Sequence, residues 1–438
     1  MKKYILLLLL LPNIILGQDE LNLIDAIKIG IWENYEIKIS KQQKKISAIN
    51  NNWANAGALP SINISAKREE VLSDQSKNPA SFIQEKLRST NYNSNANVSW
   101  TLFNGFAIRA SKAKLKKLEE ISSNNAILAI ENTIQGIILQ YYNCVLQKEK
   151  LDLLQKVVTL AKERLKYEQT KYDIGISSKI DLLQIKNAML TDSANIILQK
   201  LNYFNAIKNL NLTLGTELEK KWIFIDSIDT EIKLFSYDDL KTSTLANNTN
   251  VKNQYYNIQL SKEDIKLAKS PFYPIISINS GASFNESTYD IGNLSNTISN
   301  TGENINYFAN FSINFRLFDG GKLYNTLRKI KKEKVIHELQ YEKIQREVIY
   351  QLLLTNDKYN SLISTYQLKQ EAFNIAKTNF ILANEKQNRG TINSFMFRDI
   401  EIAYLSSGIS AQEAAYNLME GKIALLKITG GIIQEFNR

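Results

Sequence analysis

A single cysteine, Cys144, and a single histidine, His337, stand in a chain of 438 residues. One cysteine excludes an internal disulfide, and one of each excludes a histidine/cysteine zinc site and a histidine-based catalytic triad. Prolines number only five, at Pro12, Pro60, Pro79, Pro271 and Pro274, and none interrupts a helical pattern. Beyond the first residues there is no apolar run approaching the ~20 residues of a spanning helix, which leaves either a water-soluble protein or a β-barrel. No nucleophile–base pair, phosphate-binding glycine loop or metal-ligand cluster occurs, so no catalytic residue, metal or cofactor is assigned and an enzyme is not expected. The formal charge of +10 is scattered along helices among Glu residues, without a dense basic tract. Solvated helix faces explain it, and no nucleic-acid partner is expected.

What is present begins with a secretory signal pattern over residues 1–17: Lys2 and Lys3, the apolar run Ile5 to Leu11, then Pro12 and Gly17. Cleavage is expected near Gly17-Gln18, and no cysteine follows to carry a lipid. The rest is duplicated. Leu102-Phe103-Asn104-Gly105 returns as Leu317-Phe318-Asp319-Gly320, Gly175 as Gly390 and Gly215 as Gly430, each at an offset of 215. Three landmarks at one offset make an internal repeat. The expected divisions are repeat 1 over 18–215, a linker over 216–238, repeat 2 over 239–430 and a tail over 431–438.

Within repeat 1, helical spacing runs from Leu21 to about Asn55 and stops at Gly57 and Pro60. Ser61 to Ala66 alternates as a strand does, Lys67 to Ser94 reads as a polar loop, and alternation resumes from Asn95 to Leu102. From Gly105 to Gly175 the pattern is one helix of about 105 Å, far longer than the ~30 Å apolar core of a bilayer. Its stripe passes through Ile134, Ile137, Tyr141, Leu154 and Val158. A returning helix carries Leu190, Ala194, Ile197, Leu201 and Phe204 and ends at Gly215. After a short strand at Trp222–Ile225 the plan recurs: a helix from Asp239 through Lys269, a strand over Ile276 to Phe284, a polar loop from Asn285 to Asn306, and a strand from Tyr307 to Leu317.

The last strand is apolar on one face and polar on the other, which suits lipid outside and water inside a barrel, or a sheet covering a soluble core. Four strands cannot close, and open edges in lipid leave unpaired backbone groups. Two chains would give eight strands and a filled interior; three would give twelve strands, a lumen and twelve helical columns, so a homotrimer is expected. The fold class is therefore α+β: a duplicated strand pair plus long helical hairpin, with a trimeric 12-stranded β-barrel continued by a 12-helix α-barrel.

In order and spacing, the helix stops at Leu59-Pro60 and Tyr273-Pro274, the Leu-Phe-(Asn/Asp)-Gly strand ends and the glycine-turned hairpins resemble the TolC-like outer-membrane efflux proteins. Asn34-Tyr35-Glu36-Ile37 and Asn248-Thr249-Asn250-Val251 stand where that family often has Asn-Pro-Glu-Leu. The resemblance implies a trimeric channel in outer-membrane lipid, with a helical extension in the periplasm. It also implies a periplasmic adaptor (membrane fusion) protein and an inner-membrane RND or ABC pump, exporting small molecules, metals or proteins. Gly175 and Gly390 would then turn the chain at the periplasmic tip. Some members carry acids six and nine positions after the second tip glycine; here those positions are Met396 and Asp399, while Asp181 is sixth after the first. Three copies of Asp399 would form a carboxylate ring. Ile392 replaces an arginine found in relatives, so Phe395, Met396 and Phe397 are expected to close the aperture by apolar contact. The competing reading from another class is a periplasmic coiled-coil adaptor without a barrel.

Overall fold

The computed structural model describes residues 19–291 and 298–436; the expected signal at 1–17 lies outside the described residues. Two units are distinguishable. One comprises Gln42–Asn124 and Lys252–Lys343, the other Met1–Lys41, Asn125–Val251 and Ile344–Arg438.

The first unit is built on an antiparallel sheet of β2 (Ser61–Asp74), β3 (Lys86–Asn104), β5 (Ile275–Ile291) and β6 (Ile298–Asn314), in the order β2-β3-β5-β6. Its register sorts the side chains cleanly. Ile62 faces Val98, Ile278 pairs with both Trp100 and Phe311, Ile276 with Ile313 and Phe284 with Ile305, so these apolar residues share one face. Asn97, Ser99, Asn279, Ser277 and Ser312 share the other, where Ser99 donates to Asn279 (2.7 Å) and Ser277 meets Ser312 (2.8 Å). The apolar stretch on β6, Ile305 to Ile313, is about nine residues, the length with which a tilted strand crosses a bilayer.

Two expected loops are largely strand. Residues 67–74 and 86–94 continue the β2–β3 hairpin in unbroken register to Asp74 opposite Lys86, and 285–291 pairs with 298–306. The polar residues there extend the ladder beyond the apolar band, held by backbone pairing and by ion pairs such as Lys67 to Glu69 (3.0 Å). Wet on both faces, they show no hydrophobic alternation to read. The expected strand from Tyr307 to Leu317 likewise starts earlier, at Ile298, and ends at Asn314.

The long helices α3 (Ala107–Asp173) and α7 (Lys322–Asn388) each run 67 residues, and α4 (Lys179–Leu214) and α8 (Ser394–Ile428) return 36 and 35. In the second unit Ile134, Ile137, Tyr141 and Val145 of α3 pack with Ala206, Leu210 and Leu214 of α4 and with Met419 and Ile423 of α8. The strand expected at Trp222–Ile225 is β4 (Trp222–Phe224), paired in parallel with β1 (Asp19–Leu21). A short helix α9, Ile432–Phe436, follows α8.

Two expected helices are each broken by an asparagine. Leu21 to Asn55 is α1 (Leu23–Glu33) and α2 (Tyr35–Asn50); Asp239 to Lys269 is α5 (Tyr237–Asn247) and α6 (Thr249–Lys269). Asn34 Oδ1 accepts from Ile37 N (3.1 Å) while its Nδ2 donates to Thr213 O (2.7 Å). Asn248 does the same with Val251 N (3.3 Å) and Ile428 O (3.0 Å). Each asparagine caps the next helix and ties the break to the end of a returning one. That docking explains Gly215, at φ 79°, where a Cβ would lie 2.6 Å from Glu33 O. Gly430 meets Asn247 O in the same way, at 2.9 Å.

The stripe expected to pack on α4 points the other way. Leu190, Ile197, Leu201 and Phe204 are all at least 50 % exposed. The buried face carries Leu182, Ile185, Asp192, Gln199, Ala206 and Leu210. The helix is apolar on two sides, and one chain covers only one of them.

Candidate functional site

Both hairpin turns use the same backbone chemistry. Gly175 N donates to Tyr172 O (3.0 Å) and Ile176 N to Lys171 O (2.8 Å); Gly390 N donates to Gln387 O (3.0 Å) and Thr391 N to Lys386 O (2.9 Å). These paired bonds form a Schellman motif, which needs a left-handed residue, and the two glycines supply φ 77° and 70°. No atom lies within 4 Å of a Cβ built on either one, so the requirement is conformational alone.

Ser178 caps α4, accepting from Asp181 N (3.1 Å) and donating to Asp181 Oδ2 (2.6 Å). Asp181 is thus the carboxylate of a local cap, its charge well placed at a helix N-terminus. Asn393 caps α8 through Met396 N (2.8 Å), leaving Phe395 and Met396 exposed on the first turn. Asp399 follows on the exposed side one turn later. Phe397, expected with them at the aperture, is instead buried: its ring lies 5.8 Å from Phe380 and under the Arg164 guanidinium at 4.1 Å. Helical spacing sets it opposite its neighbours.

Beside Phe397 lies a charge network that the sequence reading missed. Arg398 forks onto Asp192 of α4, Nη1 to Oδ2 at 2.6 Å and Nη2 to Oδ1 at 2.8 Å, and also reaches Glu401 at 2.8 Å. Arg164 of α3 reaches the same Glu401 oxygen at 3.2 Å. The Asp192 and Glu401 side chains are 2 % and 1 % exposed. The hydrogen bonds that Arg398 donates to Asp192 hold its guanidinium charged beyond an ordinary arginine, whereas burial draws the Arg164 pKa down against the pull of Glu401. Four charges thereby join α3, α4 and α8. Arg164 Nε and Glu401 Oε1 find no hydrogen-bond partner, so the network specifies an arrangement more than it adds stability. The one sequence signal available was the Arg398/Glu401 spacing of three on a helix.

Among the described residues no helix is long and apolar enough to cross a membrane, and no group of acidic, histidine or cysteine side chains is arranged to hold a metal. The sheet, by contrast, leaves an apolar face uncovered, with Ile62, Ile64, Ile305, Phe311 and Ile313 exposed.

The sequence model of the family described as "Outer membrane efflux protein" matches residues 39–216 and 240–431. No curated protein sequence matches the chain. Among solved structures, the CmeC outer membrane channel of Campylobacter jejuni is similar with a TM-score of 0.75 at 16 % identity, over 93 % of this chain and 85 % of that one. The open state of the Neisseria gonorrhoeae MtrE outer membrane channel gives 0.69 at 15 %, over 93 % and 89 %. The outer membrane protein VceC of Vibrio cholerae gives 0.69 at 12 %, over 93 % and 96 %. At such identities these likenesses establish the fold, while the family match carries the rest and sets aside the adaptor without a barrel. The chain belongs to the outer membrane efflux protein family: it is an efflux channel, of a kind that is not enzymatic, in the outer membrane of a Gram-negative cell with its helices extending into the periplasm.

Proposed function

We propose that three copies of the chain close one pore. The observation that carries this reading is a four-stranded sheet with an uncovered apolar face and open edges at β2 and β6. In lipid those edges must be paired, and the partner at hand is another copy. Three sheets give a 12-stranded barrel with a lumen, and the helical columns of three copies give a 12-helix α-barrel. The exposed Leu190 to Phe204 stripe of α4 supports it, being the apolar surface a neighbouring copy would cover. Repeats 18–215 and 239–430, joined by 216–238 and followed by the tail 431–438, each supply two strands and one hairpin.

In this assembly the Gly175 and Gly390 turns face a periplasmic adaptor (membrane fusion) protein. Phe395, Met396 and Asp399 line the aperture, with Asp181 at its outer turn. The chain itself is a passive conduit for small molecules, metals or proteins, driven by an inner-membrane pump of the RND or ABC class. Because Cys144 is buried and the sole cysteine, a Cys144→Ala background allows a direct test. Asn63→Cys on β2, combined with single cysteines stepped along β6 from Ala309 to Ile313, should cross-link in membranes into a ladder ending at three chains. A ladder ending at two, or none at any β6 position, overturns the trimer.

A further inference from the structure

Among the described residues Phe106 is the only one other than glycine with a left-handed backbone, φ 68°. The other repeat has Gly321, φ 81°, at the equivalent corner, following Gly320 as Phe106 follows Gly105. A side chain in this conformation is strained, and glycine would remove the strain. The corner is fixed from beneath, since a Cβ on Gly105 would lie 2.1 Å from Ser270 O. The Phe106 ring is therefore held out by the backbone, 52 % exposed, edge-on to Phe103 (5.2 Å) and Tyr273 (5.7 Å).

Arg109 lies 5.9 Å from the Phe106 ring centre. Glu263, which lines one of the cavities at this corner, gives Oε1 to Lys266 at 2.7 Å and leaves Oε2 buried without a hydrogen-bond partner, and no carboxylate among the described residues pairs with Arg109. Phe106 and Arg109 line two open cavities. One, of about 280 Å³, continues onto Trp100 and Leu102 at the end of the apolar sheet face; Trp100 there donates its indole N–H to Ala58 O (2.9 Å). The other, of about 320 Å³, holds Lys269 and Tyr273. Apolar strand end, aromatic rings and unpaired cations thus follow one another over a single corner. Phe106 follows β3 and Tyr273 precedes β5, the two inner strands, so copies pairing at the β2 and β6 edges leave it uncovered.

We propose that this corner binds the headgroup of one anionic glycerophospholipid from the periplasmic leaflet. Arg109 and Lys269 take the phosphate, Phe106 and Tyr273 sit at the glycerol level, and the acyl chains lie along Trp100 and Leu102. The site rests on the barrel reading above. Native mass spectrometry of the full chain, released from nanodiscs of mixed phosphatidylglycerol and phosphatidylcholine, tests it. The wild type should retain phosphatidylglycerol in preference, and Arg109→Gln should lower that preference about tenfold, the worth of one charge-assisted bond. Phe106→Gly, which frees the backbone, should fold as well and still lose retention. The exposed Lys331→Gln should change nothing. Equal retention by Arg109→Gln and wild type, equal loss with Lys331→Gln, or full competition by inorganic phosphate overturns the lipid site alone. Failure of the wild type to enter the discs removes the barrel reading, and this site with it.

Discussion

Replacing Arg398 by methionine keeps the aliphatic stem and removes the one cation that Asp192 contacts. Asp192 and Glu401 stay buried at 2 % and 1 % exposure; Glu401 retains Arg164 at 3.2 Å, so Asp192 is the charge left stranded. Breaking a buried ion pair from one side costs ~3–5 kcal/mol, whereas replacing both partners by apolar groups is often neutral or better. Arg398→Met should therefore loosen α4 from α8, and Arg398→Met with Asp192→Leu should restore most of the loss. Amide hydrogen exchange across the two helices reads this directly: at 1.4 kcal/mol per tenfold, a loss of ~3 kcal/mol speeds opening by about two powers of ten. If the hairpins part when the entrance opens, conductance in planar bilayers should rise in the single variant and fall back in the double. Exchange within twofold of the wild type in Arg398→Met, or a double variant no better than the single, would refute the argument that this network holds the hairpins together.

Gly215→Ala should destabilise by more than ~2 kcal/mol, since it adds a Cβ 2.6 Å from Glu33 O to the left-handed strain; Gly175→Ala, with open space around it, should cost only the ~1–2 kcal/mol of the backbone. Equal unfolding shifts for the two would sink the docking explanation. Burial, and then the nearby Asp152 charge, raises the Glu149 carboxyl above its usual range. The native state thus holds that proton more tightly than the unfolded chain, and the charged form costs stability above the folded pKa and nothing below the unfolded one. Glu149→Gln should raise the unfolding temperature at about pH 8 and leave it unchanged at about pH 3.5; a gain confined to acid would contradict this. Asp399→Asn should weaken block of single-channel current by divalent and trivalent cations, and unchanged block would take Asp399 off the aperture.

Local chemistry fixed what the sequence determined alone. Alternation with a period of two marked the apolar strand ends, because successive side chains of a strand point to opposite faces and only one face of this sheet is apolar. Period 3.6, free of proline, gave the two 67-residue helices. Gly175 and Gly390 were legible as turns because a left-handed residue at a helix end is a requirement of the backbone itself. Tertiary structure decided whatever depends on a distant partner. Asn34 and Asn248 break their helices because their side chains are claimed by carbonyls 179 and 180 residues away. The polar ladder beyond the apolar band exists through pairing register, which leaves no mark in hydrophobicity. On α4, both candidate stripes are apolar enough to bury, and only the packed chain shows that the face with Asp192 turns inward, toward an arginine 206 positions later. Periodicity can report that a face is suited to burial, but which neighbour covers it is settled by the geometry of the whole assembly.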